Sequence, residues 1–377
     1  MMSMYLVVAV HIFTQGGVMA AVEPFTPKYY AALFCMQTAM CGVNCFALIS
    51  GYTNVCGTYR YSRIAELWIS VSFYSFLSIA VFSLLRGHDY NNFVLDTIFN
   101  SSWDGAVTKD LIKECASPIF KEQYWYVTAY FAMFFIIPYM NSFCRSLSKA
   151  AAIRLVIIII VILSVLPSIY NVDLFRLRAG YSASWLAMLY IIGALIRLHE
   201  TGKPACGRFV WIALFLLSTL LNCAIYIHDA LGGVPVAAPY LSPFTIAQAL
   251  CLLMAFKGLR FRRRLVIKAI SLFAPASFAV YILNATKLFY RYGMKELFLP
   301  LAKMQAWQIV LFAALSAAAF FIAASLIEIA RLRLFRALGV NRGVRFAIDK
   351  LIVENIGNIA NIRNARKPKG SAAEQVD

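Results

Sequence analysis

The chain has 377 residues, of which 62% are hydrophobic and only 14% are charged, and its mean hydropathy is +0.73. Soluble domains carry about 25% charged residues, so the composition excludes a soluble globular protein and predicts an all-α, polytopic membrane protein. The formal net charge of +18 fits the Lys and Arg excess of cytoplasmic loops, and we do not interpret it as a nucleic-acid interface.

Ten apolar runs follow one another along the chain. Crossing a hydrocarbon core of about 30 Å takes about 20 apolar residues, and unpaired amides are not tolerated in lipid, so each run is predicted to be a transmembrane helix. The first run lacks a basic segment before it, and it is predicted to be a retained helix rather than a cleaved signal peptide. The runs cover residues 4–22, 29–52, 65–85, 123–143, 155–170, 182–197, 209–228, 241–256, 266–286 and 307–329.

The distribution of basic residues predicts the orientation of these helices. With alternating sides, the side that carries the N-terminus holds 24 of the 35 Lys and Arg residues. The densest cluster lies at 257–264, between the eighth and ninth runs. Cytoplasmic loops are the basic ones in membrane proteins, so both termini are predicted to lie in the cytoplasm.

Two segments are predicted to lie outside the lipid: an outer loop of the membrane domain, which spans residues 1–330, and the tail that follows this domain. The outer loop, residues 86–122, is acidic and rich in aromatic residues, and this composition predicts a folded, functional loop. Residues 331–377 are predicted to form a basic cytoplasmic tail that lies on the anionic inner leaflet before it frays.

His11 is the clearest ionisable residue inside a predicted span. Such residues are functional candidates by default, because burying them in lipid is costly. Gln15 is predicted to lie one turn away on the same helix face. A neutral imidazole can take a proton from a hydroxyl, but it can equally hydrogen-bond a neighbouring helix, and the residues leave both interpretations open.

Arg60 and Arg63 precede the third predicted span on the cytoplasmic side. Three residues apart at a helix start, they share a face, and two guanidinium groups there suit a phosphate or pyrophosphate. Ordinary positive-inside anchors are the alternative. Glu66 and Glu328 lie at cytoplasmic ends of spans, where pairing with a nearby Arg or contact with headgroup water gives them a structural role.

Three further features are either functional or structural. Asn44, Ser50 and Gly51 belong to a cluster of small and polar residues on the second span, which fits either a pocket or close helix packing. Tyr124 and Trp125 open the fourth span, where an interfacial aromatic belt also explains them. The nine Cys residues have no spacing typical of a disulfide framework or a metal site.

Taken in order, these features resemble the acyltransferase type 3 family, membrane proteins that O-acylate sugars of surface polysaccharides such as O-antigen or exopolysaccharide. The likeness covers about residues 4 to 330. The family carries a late histidine at the place of Asn284, and an arginine at a place that would fall just before Met1. The matching places are 6–11 with His11, 42–52, the Arg60 to Arg63 pair, 124–138 from Tyr124 to Pro138, and 277–283.

The resemblance implies an O-acyltransferase, most often an O-acetyltransferase, in the bacterial inner membrane. Acyl-CoA, most often acetyl-CoA, would be a donor substrate rather than a bound cofactor, and no metal is implied. Arg60 and Arg63 would lie near its phosphates, and His11 would act as base or transient acyl carrier. The acceptor would be a polysaccharide or its lipid-linked precursor, with the outer loop as the candidate for acceptor recognition.

Two other functions fit a ten-helix protein. A lipid-linked glycan flippase or other transporter is expected to line a central cavity with several charges, and the scarcity of charge within the spans counts against it. A glycan polymerase is expected to have a large outer loop rich in Arg and acids, whereas the loop here is of moderate size.

Overall fold

The computed structural model describes residues 1–100, 103–120, 124–200, 206–232, 240–259, 261–348 and 350. Within these residues the protein is helical and contains no strand, as predicted. Residues 351–377 of the predicted tail, and 101, 102, 121 and 122 of the outer loop, lie outside the described residues. The helices are α1 Met2–Phe13, α2 Val18–Ala21, α3 Pro27–Met40, α4 Gly42–Asn54, α5 Ser62–Leu85, α6 Phe93–Phe99, α7 Lys109–Ala116, α8 Trp125–Phe134, α9 Ile137–Ser146, α10 Lys149–Ile160, α11 Leu166–Tyr170, α12 Ala183–His199, α13 Arg208–Leu231, α14 Pro243–Phe256, α15 Arg264–Phe273, α16 Ser277–Asn284, α17 Leu299–Ala302 and α18 Ala306–Ala337.

In the described part of the chain, six helical segments are long and apolar enough to cross a membrane, and they become eight if each of two bent pairs counts as one span. The shorter apolar helices α12 and α14 coincide with the two remaining predicted runs. Every predicted run is therefore helical, and the protein is a polytopic membrane protein. The number ten and the cytoplasmic placement of both termini remain predictions. The six segments are Met2–Ala21, Pro27–Asn54, Ser62–Leu85, Lys149–Tyr170, Arg208–Leu231 and Ala306–Ala337.

The two bent pairs have a proline at or beside the bend. The pair α8 and α9 bends by 62°, with Pro138 in the first turn of α9, and the pair α15 and α16 bends by 46° around Pro275. Proline lacks the N–H that would continue the helical ladder, and its ring clashes with the preceding turn. The prolines themselves therefore account for the positions of the two bends.

The helices α4 and α12 pack with their backbones almost touching. A Cβ added to Gly51 would lie 1.9 Å from the carbonyl oxygen of Tyr190, and one added to Gly193 would lie 2.0 Å from that of Leu48. Small residues permit this close approach. Helices in membranes commonly associate in this way, because the hydrophobic effect does not drive apolar helices together in lipid. The contact lies in the buried centre of the bundle, where Trp185 and Tyr190 are fully buried.

Polar contacts tie together the helix ends at one side of the bundle, which we call the basic end. At this end α4, α12 and α14 terminate, and Glu200 accepts hydrogen bonds from Tyr52 and Arg197 and pairs with Lys257 at 2.8 Å. Burial raises the pKa of Glu200, but these three partners together hold it below its ordinary value. The second, sixth and eighth predicted runs therefore end on the same side of the bundle, as spans of alternating direction must.

The described part of the outer loop folds against the bundle. The loop contains the short helix α7, which begins at Lys109. Trp103, Leu111 and Cys115 are buried against Phe82 of α5 and Leu288. This apolar cluster holds the loop over the helix ends opposite the basic end.

Candidate functional site

His11 lies inside the protein, near the end of α1. Its Nδ1 makes a short hydrogen bond with Oδ1 of Asn284, the last residue of α16, which is fully buried. The edge of its ring also meets the ring of Tyr290, with centroids 4.9 Å apart and planes at 69°. Asn284 and Tyr290, which are both far from His11 in the sequence, therefore fix the orientation of the imidazole.

The hydrogen bond to Asn284 determines how the neutral imidazole carries its proton. An amide oxygen can only accept, so Nδ1 must be the donor in this pair. The other ring nitrogen, Nε2, then keeps its lone pair and is free to accept a proton from a substrate hydroxyl. The structural interpretation of His11 is realised, because Nδ1 bonds a neighbouring helix. Nε2 is left available, and its role as a base remains a prediction.

The first helix breaks immediately after this histidine. It ends at Phe13, and Gly17 has a left-handed φ of +87°. The freed backbone carbonyls of Gln15 and Gly16 accept hydrogen bonds from the amides of Glu296 and Phe298, at 3.2 and 3.0 Å. Irregular backbone at membrane depth is tolerated where protein covers it, and such breaks often form binding sites.

The prediction for Gln15 is wrong in one respect. It follows the end of α1, so it does not continue the helix face that carries His11. The physical reason is the glycine pair that follows it, because glycine adopts the left-handed conformation that ends a helix. The backbone oxygen of Gln15, which has no partner within α1, accepts a hydrogen bond from the amide of Glu296 and so stabilises the break in the helix.

Buried polar atoms without a partner lie on the residue that bonds the imidazole and on two tyrosines of the neighbouring helices. In the described part of the chain, Asn284 Nδ2 and the hydroxyls of Tyr126 and Tyr281 are buried and make no hydrogen bond. Tyr281 precedes Asn284 by one helical turn, and the rings of Tyr126 and Tyr281 are 5.9 Å apart. Buried polar groups are normally paired, so this concentration indicates a place for a polar ligand.

Several of these residues escaped the sequence analysis. Asn284 was noticed only as a departure from the family pattern, and Tyr281 only as part of the stretch 277–283. Tyr290 carried no motif, but it lies in a π-helical turn, Phe289–Gly293. Such turns are frequent at functional sites, yet a π turn leaves no mark in hydropathy.

A cavity of about 620 Å³ lies beside the histidine and under the outer loop. Val8 and Ile12, the neighbours of His11 on α1, line it together with Phe289 and with Phe93 of α6. The walls are almost wholly apolar. The cavity therefore lies between α1 and the outer-loop helix α6, and His11 itself is not part of its lining.

Arg60 and Arg63 lie at the start of α5, and both are exposed. Neither forms an ion pair with a carboxylate within the described ranges, and Arg63 lies within electrostatic reach of Tyr130 on α8. No hydrogen bond or ring contact there joins either of them to His11. The guanidinium groups are therefore free to bind an anion at the surface.

The polar residues of α4 have partners within the protein. Asn44 is fully buried, donates to the carbonyl of Tyr240 at 2.9 Å and accepts from the indole of Trp185 at 3.3 Å. Ser50 donates back to the carbonyl of Phe46 on its own helix. Together with the close packing of Gly51, these contacts favour the packing interpretation for this cluster.

Tyr124 lies in the interior, and Trp125 is half-buried beside it. Tyr124 is almost fully buried and hydrogen-bonds Ser75 of α5 at 3.1 Å. The ring centroid of Trp125 lies 4.6 Å from that of Tyr181. Both residues therefore pack against other elements of the protein, and the choice between a pocket and an interfacial belt remains a prediction.

The two glutamates have the arginine partners expected of them. Glu328 and Arg331 form a buried two-bond pair at 2.7 Å on α18, and Tyr74 donates to Glu328 at 2.5 Å. Glu66 pairs with Arg345 at 2.6 Å. A buried carboxylate needs such partners, because it is otherwise strongly disfavoured in the ionised form.

The described residues contain no cluster of side chains that could bind a metal ion. Across the described ranges, no three His, Cys, Asp or Glu side chains lie close enough to hold a metal ion. All nine cysteines fall in those ranges, and all are free thiols.

The fold and the site define a multi-pass helical membrane protein with a half-buried, oriented imidazole beside unpaired polar groups. A family model described as an acyltransferase domain matches residues 1–329. The chain belongs to the acyltransferase type 3 family and is a membrane acyltransferase. No curated protein and no solved structure matches it.

Proposed function

We propose that the protein is an acyl-CoA-dependent O-acyltransferase of the bacterial inner membrane. It transfers an acyl group, in our proposal acetyl, to a sugar hydroxyl of a surface polysaccharide or of its lipid-linked precursor. The observation that carries the proposal is the hydrogen bond between His11 and Asn284, which leaves Nε2 as a base. The membership in an acyltransferase family supplies the reaction class.

In the proposed reaction, Nε2 of His11 accepts the proton of the sugar hydroxyl as that oxygen attacks the thioester carbonyl. The tetrahedral intermediate then expels the coenzyme A thiolate, which takes the proton back from the imidazolium. An ester and the free thiol result, so protons balance without another cofactor. General base catalysis of this kind contributes about 10²-fold to 10⁴-fold in rate.

The unpaired amide of Asn284 and the hydroxyls of Tyr126 and Tyr281 supply donors for the charge that develops on the carbonyl oxygen. Donors already fixed in a water-poor site stabilise that charge well, because they need no reorganisation during the reaction. In this proposal Asn284 has two roles, since its oxygen orients His11 and its nitrogen faces the substrate.

Arg60 and Arg63 bind the donor phosphates in this proposal. Their exposure and their lack of carboxylate partners in the described part of the chain support it. Replacing both with Lys keeps the charge but removes bidentate geometry, and should weaken donor binding by about 1 to 3 kcal/mol. Kinetics against acyl-CoA concentration in membranes test this, with Arg154→Lys, also exposed, as control. An unchanged KM would leave the pair as topological anchors.

The outer loop, residues 86–122, recognises the acceptor in this proposal. The cavity lined by Ile12 and by Phe93 of the loop helix α6 supports it, since it lies between the loop and the helix that carries His11. The buried contacts of Trp103 and Leu111 hold the loop in place.

The decisive experiment measures O-acyl groups on glycans of cells that express the protein or its variants, by NMR or mass spectrometry. His11→Ala should remove the modification, whereas His228→Ala, which changes a largely exposed histidine, should leave it intact. Protein amounts in the membrane must be equal. An unchanged acyl level in His11→Ala would remove the assigned role of this histidine.

A flippase finds no support among the buried charges. Within the described residues, the buried charged side chains are Glu328 and Arg331, which pair with each other. A transport pathway that recognises a charged carrier is expected to leave several such groups facing a cavity.

A further inference from the structure

A second cavity lies at the basic end, apart from the histidine site. Its volume is about 640 Å³, and its walls come from α1, α4, α14, α15 and α18. Tyr5, Ile49, Phe256 and Ile270 line it, and no Asp, Glu, Lys, Arg or His side chain does. The cavity is therefore a space for hydrocarbon rather than for a polar molecule.

The helix α15 forms one edge of this cavity and leaves the bundle. It diverges from α16 by 46°, and none of its residues is buried. At 100° per residue, Arg264 and Lys268 share one face, while Val266, Ile270 and Phe273 occupy the other. An amphipathic helix with an uncovered apolar face lies in the membrane interface, with that face toward the acyl chains.

Positive charge is concentrated in the segment that follows the cavity residue Phe261 and on the polar face of α15. Arg262, Arg263, Arg264 and Lys268 are exposed, and the sequence from 257 to 284 contains no acidic residue. The ion pairs of the described residues do not involve these four. An apolar space with cations beside it is complementary to a molecule that has a hydrocarbon tail and an anionic head.

We propose that this cavity binds an anionic phospholipid. One acyl chain enters beneath α15, and the phosphate lies among Arg262, Arg263, Arg264 and Lys268. Anionic lipids attract such basic segments, and apolar walls favour the chain.

Acyl-CoA would fit this cavity poorly. The pantetheine arm carries two amides that need partners when buried. The lining offers the hydroxyls of Ser3 and Tyr5, and the latter already donates to the carbonyl of Ala314 at 3.1 Å. The lipid is therefore the better occupant, and the site is independent of the acyl transfer proposed above.

Native mass spectrometry of the full chain, with added phosphatidylglycerol or phosphatidylcholine, tests the proposal. Phosphatidylglycerol should bind about tenfold or more tightly. Arg262→Gln with Lys268→Gln should abolish this preference, whereas Arg333→Gln with Arg336→Gln, exposed at the same end, should preserve it. Ile270→Trp should fill the cavity and reduce binding of both lipids.

Three outcomes would overturn the proposal. The first is an equal loss of the preference for phosphatidylglycerol in the Arg333 and Arg336 control, which would show that the preference depends only on the overall charge of the protein. The second is undiminished lipid binding by Ile270→Trp. The third is displacement of the lipid by coenzyme A, which would assign the cavity to the acyl donor. All substituted positions are on exposed surfaces or the cavity edge, and thermal unfolding verifies that each variant is folded.

Discussion

Two parts of this membrane bundle use small and polar residues in opposite ways. Between α4 and α12, Gly51 and Gly193 bring the backbones into contact and Asn44 has a partner for both ends of its amide. Around His11, the helix is broken, and Asn284 and Tyr126 retain unpaired buried polar atoms. The first part is complete without a ligand, whereas the second is not.

The difference teaches that polarity within a span does not by itself mark a functional residue. A polar group that is satisfied by the protein stabilises the bundle, and one that is buried and unsatisfied is costly unless it serves a ligand. Irregular backbone adds to the contrast, since the helix break and the π turn both lie at the histidine site. Three predictions test this distinction.

The largest effect is expected from breaking the close helix contact. Gly193→Leu would place a side chain where a Cβ already lies 2.0 Å from the carbonyl oxygen of Leu48. The helices must separate, which should cost about 3 kcal/mol or more. Thermal unfolding in detergent measures the loss, and Gly207→Leu is the control, because a Cβ at Gly207 meets nothing within 4 Å. Equal unfolding temperatures for the two variants would contradict the packing role.

A smaller effect, confined to catalysis, is expected at the histidine site. Asn284→Ala removes the acceptor that orients His11, and kcat should fall about 10-fold to 100-fold while the KM for acyl-CoA and the unfolding temperature stay constant. Asn284→Asp retains an oxygen acceptor and should restore part of kcat. Initial rates in membranes give both parameters. If the aspartate variant were as slow as the alanine variant, the orienting role would be wrong.

The smallest effect is expected at the satisfied amide of α4. Asn44→Ala removes two interhelical hydrogen bonds and should cost about 0.6 to 1.7 kcal/mol of stability, with little change in kcat. Ser50→Ala removes a bond within one helix and should change stability even less. Unfolding curves measure the stability of the two variants, and initial rates in membranes measure their kcat. A selective loss of kcat in Asn44→Ala would move this residue from the packing group to the site.

Hydropathy was sufficient to predict the helices, because lipid forces every apolar run to pair its own amides. The bends at Pro138 and Pro275 have a similarly local cause, because proline interrupts the helical hydrogen bonds. The break after Phe13 was not visible, since two glycines inside an apolar run barely change its hydropathy. The prediction that Gln15 extends the face of His11 failed at this point.

The candidate site was only partly predictable. His11 was found because an ionisable group in a span is rare. Its partners Asn284 and Tyr290 were not found, because a hydrogen bond across 273 residues and an edge contact of two rings are tertiary events. On α4 the sequence left a pocket and close packing both open for Asn44 and Gly51, and their contacts in the structure favour packing.

The distance along the chain between His11 and Asn284 has a consequence for biosynthesis. Membrane insertion proceeds from the N-terminus, so the imidazole enters the bilayer among the first residues and waits for its amide until 273 further residues have been made. A nascent chain halted earlier holds most of its helices but lacks the completed pair. In the proposed function, His11 therefore cannot be oriented as a base until Asn284 has been made and inserted.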